Sequence, residues 1–322
     1  MEVGIIGASG LVGKTLISII ESRGLSSNNY HLFASSRKSE QIKIFGKYTT
    51  IQEYSFRQAS QLDLVFVCSG SEFSKEEVPK LTKSGVICID NSSYWRMDSN
   101  VPLVVPEING HLATKSNLIA NPNCSTIQLV MCLKPLIDFG INEVVMTTYQ
   151  SVSGAGQGGI DSLNDERMNK FTGSIFERQI FSNLIPKIDT WVGLDETREE
   201  WKVRLESKKI LDREISISCT AVRVPVENCH SEAVRILFNN NVELDKIRRR
   251  LESMNGVEVS ESKDWVDCLD SSGNDLVFVG RLRIDPSNPK AVWMWIVSDN
   301  LRKGAALNAV QIAEHIDGFT LG

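Results

Sequence analysis

The opening segment MEVGIIGASGLVGKTLISIIESRG limits the fold more than any other part of the chain. Residues 2–8 form a short apolar run, and the segment after them carries apolar side chains at 11, 12, 16, 19 and 20, the spacing of one helix face, with Gly24 placed to end the helix. Gly7, Gly10 and Gly13 fall where that strand turns into that helix. Backbone N–H groups at such a turn meet a pyrophosphate with no side chain in the way, and the helix dipole favours its charge. A plain tight turn is the alternative, because glycine serves both. The dinucleotide reading takes Gly7, Ser9, Gly10, Leu11 and Val12 as cofactor contacts.

Strand and helix patterns then alternate: YHLFASS at 30–36, LDLVFVCSG at 62–70, the helix candidate SEFSKEEVPKLTKSG, and VICIDNSS at 86–93. Such alternation predicts a parallel sheet covered on both faces. Beyond about residue 140 the strand-like runs at 141–150, 215–226, 231–238, 276–284 and 291–298 partly follow one another with no helix between. They predict a mixed or mostly antiparallel sheet, covered by helices at 158–171, 195–209 and 242–254. The expected class is therefore α/β: a Rossmann-like dinucleotide-binding domain over 1–122, completed by a C-terminal helix over 300–322, and an α+β substrate domain over 123–299.

The residues that end the second strand choose between cofactors. NAD calls for a carboxylate there to bond the ribose 2′-OH, whereas this chain has Ser35, Ser36, Arg37 and Lys38. Ser36 and Arg37 suit a 2′-phosphate and hence NADP; the alternative is an ordinary solvated basic pair. Several classes are disfavoured. Apolar runs such as LVFVC at 64–68 and AVWMWIV at 291–297 are too short to span a bilayer. A net charge of −5 with dispersed basic residues argues against nucleic acid. Seven cysteines with no CxxC pair, in a chain whose start lacks a basic signal region, suit free thiols in the cytoplasm and no metal site.

NPNCST, residues 121–126, sets Cys124 at the start of a helix candidate, with Asn123 or Cys124 as its cap region. The positive end of a helix dipole favours thiolate, and a nearby base completes a reactive cysteine. Of the histidines at 31, 111, 230 and 315, His230 is the base candidate, because it follows the strand-like TAVRVPVENC with Arg223 on the face opposite Val222, Val224 and Val226. A histidine that merely satisfies local hydrogen bonds is the alternative.

GASGLVG, WRMDSNVPLVVPEIN, NPNCST, TYQSVSGAGQGG, REEWK, VRVPVENCHSEAV and DNLRKGAALNAVQIAE, in that order along nearly the whole chain, resemble the aspartate-semialdehyde dehydrogenase family. The resemblance implies reduction of L-aspartyl 4-phosphate by NADPH in a homodimer whose second domain also dimerises. It implies Cys124 as nucleophile, His230 as acid and base, and Gln150 as the amide that orients thiol and substrate. Arg223 is implied for the substrate carboxylate, Arg96 and Lys202 for phosphate, Glu199 for the substrate amino side, and Ser153, Gly154 and Asn300 for the cofactor. Without it, Glu199 and Lys202 read as a solvated i, i+3 pair on a charged helix. Two other readings are N-acetyl-glutamyl-phosphate reductase, a sibling with the same chemistry, and a non-catalytic NADP-binding module.

Overall fold

The computed structural model describes residues 1–35, 40–170, 174–261 and 263–319, with the backbone alone at Leu194. The chain divides into two compact units, Met1–Pro122 with Ala305–Gly322, and Asn123–Gly304.

The first unit contains β1 (Glu2–Ile6), α1 (Leu11–Ser22), β2 (Asn29–Ala34), β3 (Gln41–Ile44), β4 (Lys47–Thr50), β5 (Gln52–Glu53), α2 (Phe56–Ala59), β6 (Leu64–Val67), α3 (Ser71–Lys83), β7 (Ile87–Asp90), α4 (Pro106–Asn109) and β8 (Leu118–Ala120). β3 and β4 form a hairpin of their own, and the other strands make one sheet in the order β5-β2-β1-β6-β7-β8. Every pairing in that sheet is parallel. Successive strand residues point to opposite faces, so the apolar runs divide between two clusters. Val3, Ile5, Leu64 and Phe66 pack with Leu16, Ile17 and Ile20 of α1 and with Leu307 and Val310 of the terminal helix, Leu307–Ala313. Ile6, Val65 and Val67 pack with Val78 and Leu81 of α3. β2 and β6 leave β1 in opposite directions, which puts the β1–α1 turn at the switch point where doubly wound sheets hold their ligands.

The second unit contains α5 (Cys124–Leu133), β9 (Ile141–Gln150), α6 (Gln157–Arg167), the short ribbon of β10 (Trp191–Val192) and β11 (Glu196–Thr197), α7 (Arg198–Leu211), β12 (Ser216–Arg223), β13 (His230–Phe238), α8 (Leu244–Glu252), β14 (Val257–Val259), α9 (Cys268–Ser271), β15 (Val277–Asp285) and β16 (Asn288–Ser298). Its main sheet runs β12-β9-β13-β16-β15-β14. β12 with β9 and β14 with β15 are parallel, and the remaining pairs are antiparallel. This is the mixed sheet expected from the runs of strand pattern. The edge strand β14 has only three residues, too few to show a period in sequence.

Alternation along the central strands separates two faces. Glu232, Val234, Ile236 and Phe238 of β13 are buried on one face, whereas Ala233, Arg235 and Leu237 are only half-buried. α5, α7 and α8 pack on the sheet.

Candidate active site

Register brings the candidate residues of the second unit into one row. Arg223 ends β12 opposite Gln150, which ends β9. Gln150 lies opposite His230, which begins β13, and His230 lies opposite Ser298 near the end of β16. Directly opposed residues share a sheet face, so Arg223, Gln150, His230 and Ser298 stand side by side across four strands although up to 148 positions separate them. All four are buried.

Cys124 is the first residue of α5, and Asn123 is its N-cap. Asn123 Oδ1 accepts from Ser125 N at 3.0 Å and from Thr126 N at 3.2 Å, satisfying two donors that a helix start leaves open. One turn below Cys124, Gln128 Oε1 accepts from Ser298 Oγ at 2.8 Å, which ties the helix to the row. Close packing also restricts Cys124. A Cβ built on Gly304 would lie 2.9 Å from Cys124 Cβ, nearer than real side chains approach. Gly304→Ala is therefore expected to displace the thiol and lower kcat about 100-fold, since a shift of roughly 1 Å in a reacting atom costs that much. Steady-state rates beside a melting curve check this, and a variant with normal kcat removes Gly304 from the site.

Glu199 corrects the reading of a solvated pair. It is 5% exposed, and its Oε1 accepts from Asn123 Nδ2 at 2.8 Å and from Gln150 Nε2 at 3.0 Å. Its Oε2 accepts from Lys202 Nζ at 3.1 Å, and Lys202 also reaches Asp189 at 2.9 Å. Burial alone pushes the Glu199 carboxyl up, but the Lys202 cation and the hydrogen bonds from Asn123, Gln150 and Lys202 outweigh it and hold the group at about 2. A charged sequence pattern hid a buried junction between Asn123, the cap of α5, and Gln150. Gln150 is itself oriented, because its Oε1 accepts from Thr148 Oγ1 at 3.0 Å.

His230 is held by one ring nitrogen. Ser151 N donates to Nδ1 at 3.1 Å. An amide N–H can only donate, so Nδ1 presents its lone pair and the neutral ring carries its proton on Nε2. Nε2 is buried without a hydrogen-bond partner. Burial, helped by the Arg223 cation and opposed by Glu199, pushes the imidazolium down to about 3. The ring is thus neutral at physiological pH, and its Nε2–H offers the site a hydrogen-bond donor.

Arg223 Nη1 donates to Ser151 O at 2.6 Å, and Phe176 flanks the guanidinium at 6.0 Å. A Cβ on Gly154 would stand 3.0 Å from Arg223 Nη1 and 3.2 Å from His230 Nε2, so the bare glycine lets its turn lie against both. Asn300 uses its side chain within the protein: Oδ1 accepts from Cys229 N at 2.9 Å and Ser151 Oγ at 3.0 Å, and Nδ2 donates to Ser153 Oγ at 3.0 Å. It joins the residue before His230 to the Ser151–Ser153 turn. Gly159 serves packing, because a Cβ there would meet Val152 O at 2.2 Å.

In the first unit, Gly7 takes φ +85°, and a Cβ on it would meet Cys68 O at 2.5 Å. A Cβ on Gly13 would meet Gly7 O at 2.3 Å, so these two glycines are required by the turn itself. Gly10 differs: it is exposed, and a Cβ there would find nothing nearer than 3.4 Å. It caps α1, whose start has neither a side-chain cap nor an acidic residue. An uncapped helix start beside half-exposed Ser9, Leu11 and Val12 fits a dinucleotide pyrophosphate. Arg96 belongs to this unit and is buried, with Nη2 donating to Asn91 O at 2.9 Å. Ser36 and Arg37 lie outside the described residues. Among the described residues no helix is long and apolar enough to cross a membrane, and no cluster of metal-binding side chains occurs.

The sequence-family model described as semialdehyde dehydrogenase, NAD binding domain, matches residues 2–116, and the one described as semialdehyde dehydrogenase, dimerisation domain, matches residues 133–303. Aspartate-semialdehyde dehydrogenase 2 of Vibrio cholerae is 40% identical over 325 residues, covering 97% of this chain and 96% of the relative. The chain belongs to the aspartate-semialdehyde dehydrogenase family. The aspartate-semialdehyde dehydrogenase of Aquifex aeolicus is 41% identical over 332 residues, covering 97% of each chain. A crystal structure of aspartate semialdehyde dehydrogenase II from Vibrio cholerae, complexed with ASA, is similar at a TM-score of 0.93 and 37% identity, covering 98% of this chain and 97% of that one. As a member of the aspartate-semialdehyde dehydrogenase family, this chain is an oxidoreductase with an NAD(P)-binding domain and a dimerisation domain.

The residues that sequence reading missed are Ser151, Thr148, Glu206 and Gly304. Ser151 meets His230 Nδ1 through its backbone N–H and its Oγ, both at 3.1 Å; the amide, which every residue but proline has, leaves no side-chain signal in the sequence.

Proposed function

We propose that the chain reduces L-aspartyl 4-phosphate with NADPH to L-aspartate 4-semialdehyde and phosphate, on the route to lysine, methionine and threonine. The observation that carries this reading is the row of Arg223, Gln150 and His230 on the sheet that α5 covers, with Cys124 opening that helix. In this reading the Cys124 thiolate attacks the acyl carbon, the bond from carbon to the phosphate oxygen breaks, and phosphate leaves with the electron pair. NADPH, when bound, supplies the hydride that reduces the resulting thioester. His230 takes up the proton that the Cys124 thiol gives up on attack and returns it to the sulfur when the carbon–sulfur bond breaks. Gln150 orients thiol and substrate.

Arg223 receives the substrate carboxylate with the donors it does not spend on Ser151, a planar fork matched to two oxygens. Lys202 and Arg96 take the phosphate, and Glu199 places its charge toward the substrate ammonium. Ser153, Gly154 and Asn300 line the nicotinamide side. Gly7, Ser9, Gly10, Leu11 and Val12 hold the pyrophosphate, while Ser36 and Arg37 meet the 2′-phosphate and so favour NADP. The working unit is a homodimer in the cytoplasm. Its dimer contact is the half-buried face of the second unit's sheet, where Trp265, Val266, Trp293 and Trp295 line a depression of about 370 Å³. An apolar sheet face of this kind needs cover.

Phosphate-dependent NADP reduction with aspartate semialdehyde tests the reading. Activity there, and none with the N-acetylated glutamate semialdehyde, is the expected result. The reverse preference would assign the chain to the sibling reductase, and inertness toward both would leave a nucleotide-binding module.

A further inference from the structure

Helix α7 carries three buried carboxylates. Glu200 closes the capping box at the helix start, and of the other two only Glu199 has a place in the reaction as proposed. Glu199 and Glu206 lie seven residues apart, two helical turns, on the side of α7 that also buries Val203. Glu206 is 1% exposed, and its Oε2 accepts from Asn123 N at 2.7 Å. That is a short, charge-assisted bond to the backbone of the residue that precedes Cys124. The Asn123 side chain is equally occupied, donating to Glu199 and accepting from the two amides of the first turn of α5. Asn123 holds φ −62° and ψ 144°, the extended conformation from which the helix departs.

A bond this short from a backbone N–H to a buried carboxylate oxygen is among the stronger ones an amide makes. It puts a stiff restraint on the peptide that aims the first helical residue, at the helix end where an acceptor is needed and negative charge is favoured. We propose that Glu206 is a positioning residue for Cys124: its carboxylate clamps the Asn123 amide, and with it the start of α5, so that the thiol keeps one orientation throughout the cycle. Glu199 clamps the same residue by its side chain, so α7 grips the nucleophile's cap at two points.

This inference rests on Cys124 being the nucleophile, and the test separates the two. In Glu206→Leu, kcat per Cys124 titrated with iodoacetamide is expected to fall about 10- to 100-fold, the worth of one hydrogen bond to a charged group. The KM for aspartate semialdehyde should stay within about threefold, because no substrate-binding residue is touched. Glu206→Gln keeps an acceptor oxygen at the same reach and should recover most of the rate. A merely structural residue would lower the folded fraction and leave kcat per titrated thiol unchanged; that result overturns the proposal. So does a Gln variant as impaired as the Leu variant. Should the Leu variant not fold, Glu206→Asp withdraws the carboxylate by one methylene and must show the same loss in kcat per thiol. If the parent protein does not turn over aspartate semialdehyde, the functional reading fails alone. The rate of Cys124 alkylation then decides, changed in the Leu or Asp variant if the clamp acts and unchanged if it does not.

Discussion

Cys124→Ala is expected to lower phosphate-dependent NADP reduction by about 10⁴-fold or more, the scale on which removing a covalent nucleophile acts. NADP binding, followed by fluorescence titration, should stay within about threefold of the parent, because the pyrophosphate turn at Gly7–Val12 does not include the thiol. Alanine keeps the Cβ that packs on Gly304, and Asn123 continues to cap α5, so the substitution removes little but sulfur. Substantial remaining turnover would sink the thioester route. A loss of NADP binding in parallel would show that the substitution disturbs more than the thiol.

His230→Asn is expected to lower kcat by about 10²- to 10⁴-fold, the range for a positioned acid, with little change in KM. The choice of asparagine follows from the geometry. Its Oδ1 can still accept the Ser151 N–H that Nδ1 accepts now, so the variant keeps that anchor and lacks the group at Nε2. Unchanged turnover would take His230 out of the reaction. The same pair of proteins tests the burial of the ring. Its folded-state value of about 3 lies below the ordinary 6.5, so between those limits the unfolded chain binds a proton that the folded one does not. Stability from this group is full above 6.5 and is lost as pH falls through that window, with a slope near 1.4 kcal/mol per pH unit. Chemical denaturation at fixed protomer concentration should show that slope in the parent and lose its His230 share in the variant.

Much of the fold was legible because it rests on local pattern. The β1–α1 turn could be read from three glycines, and the structure shows that Gly7 and Gly13 are there for close approach and Gly7 also for its positive φ. The parallel sheet followed from strands separated by helices, and the mixed sheet from strands that were not. β14 escaped, since three residues carry no period. The site was half legible. Cys124 could be found from its helix start, and Arg223, Gln150 and His230 from their motifs. Glu199 and Lys202 looked like surface charge, because sequence shows which residues share a helix face but not whether that face meets water.

The sequence by itself determined where the elements start and stop, which turn suits a dinucleotide, and which cysteine opens a helix, because these depend on propensity and spacing along a few turns of chain. Only the tertiary structure decided how the site is assembled. Strand register set Arg223, Gln150 and His230 in one row; a backbone amide at Ser151 chose which nitrogen of His230 holds the proton; and two carboxylates of α7 reached across to Asn123. Those are contacts between residues dozens of positions apart, and their worth depends on burial, which strengthens a hydrogen bond to a charge and makes an unpaired group costly.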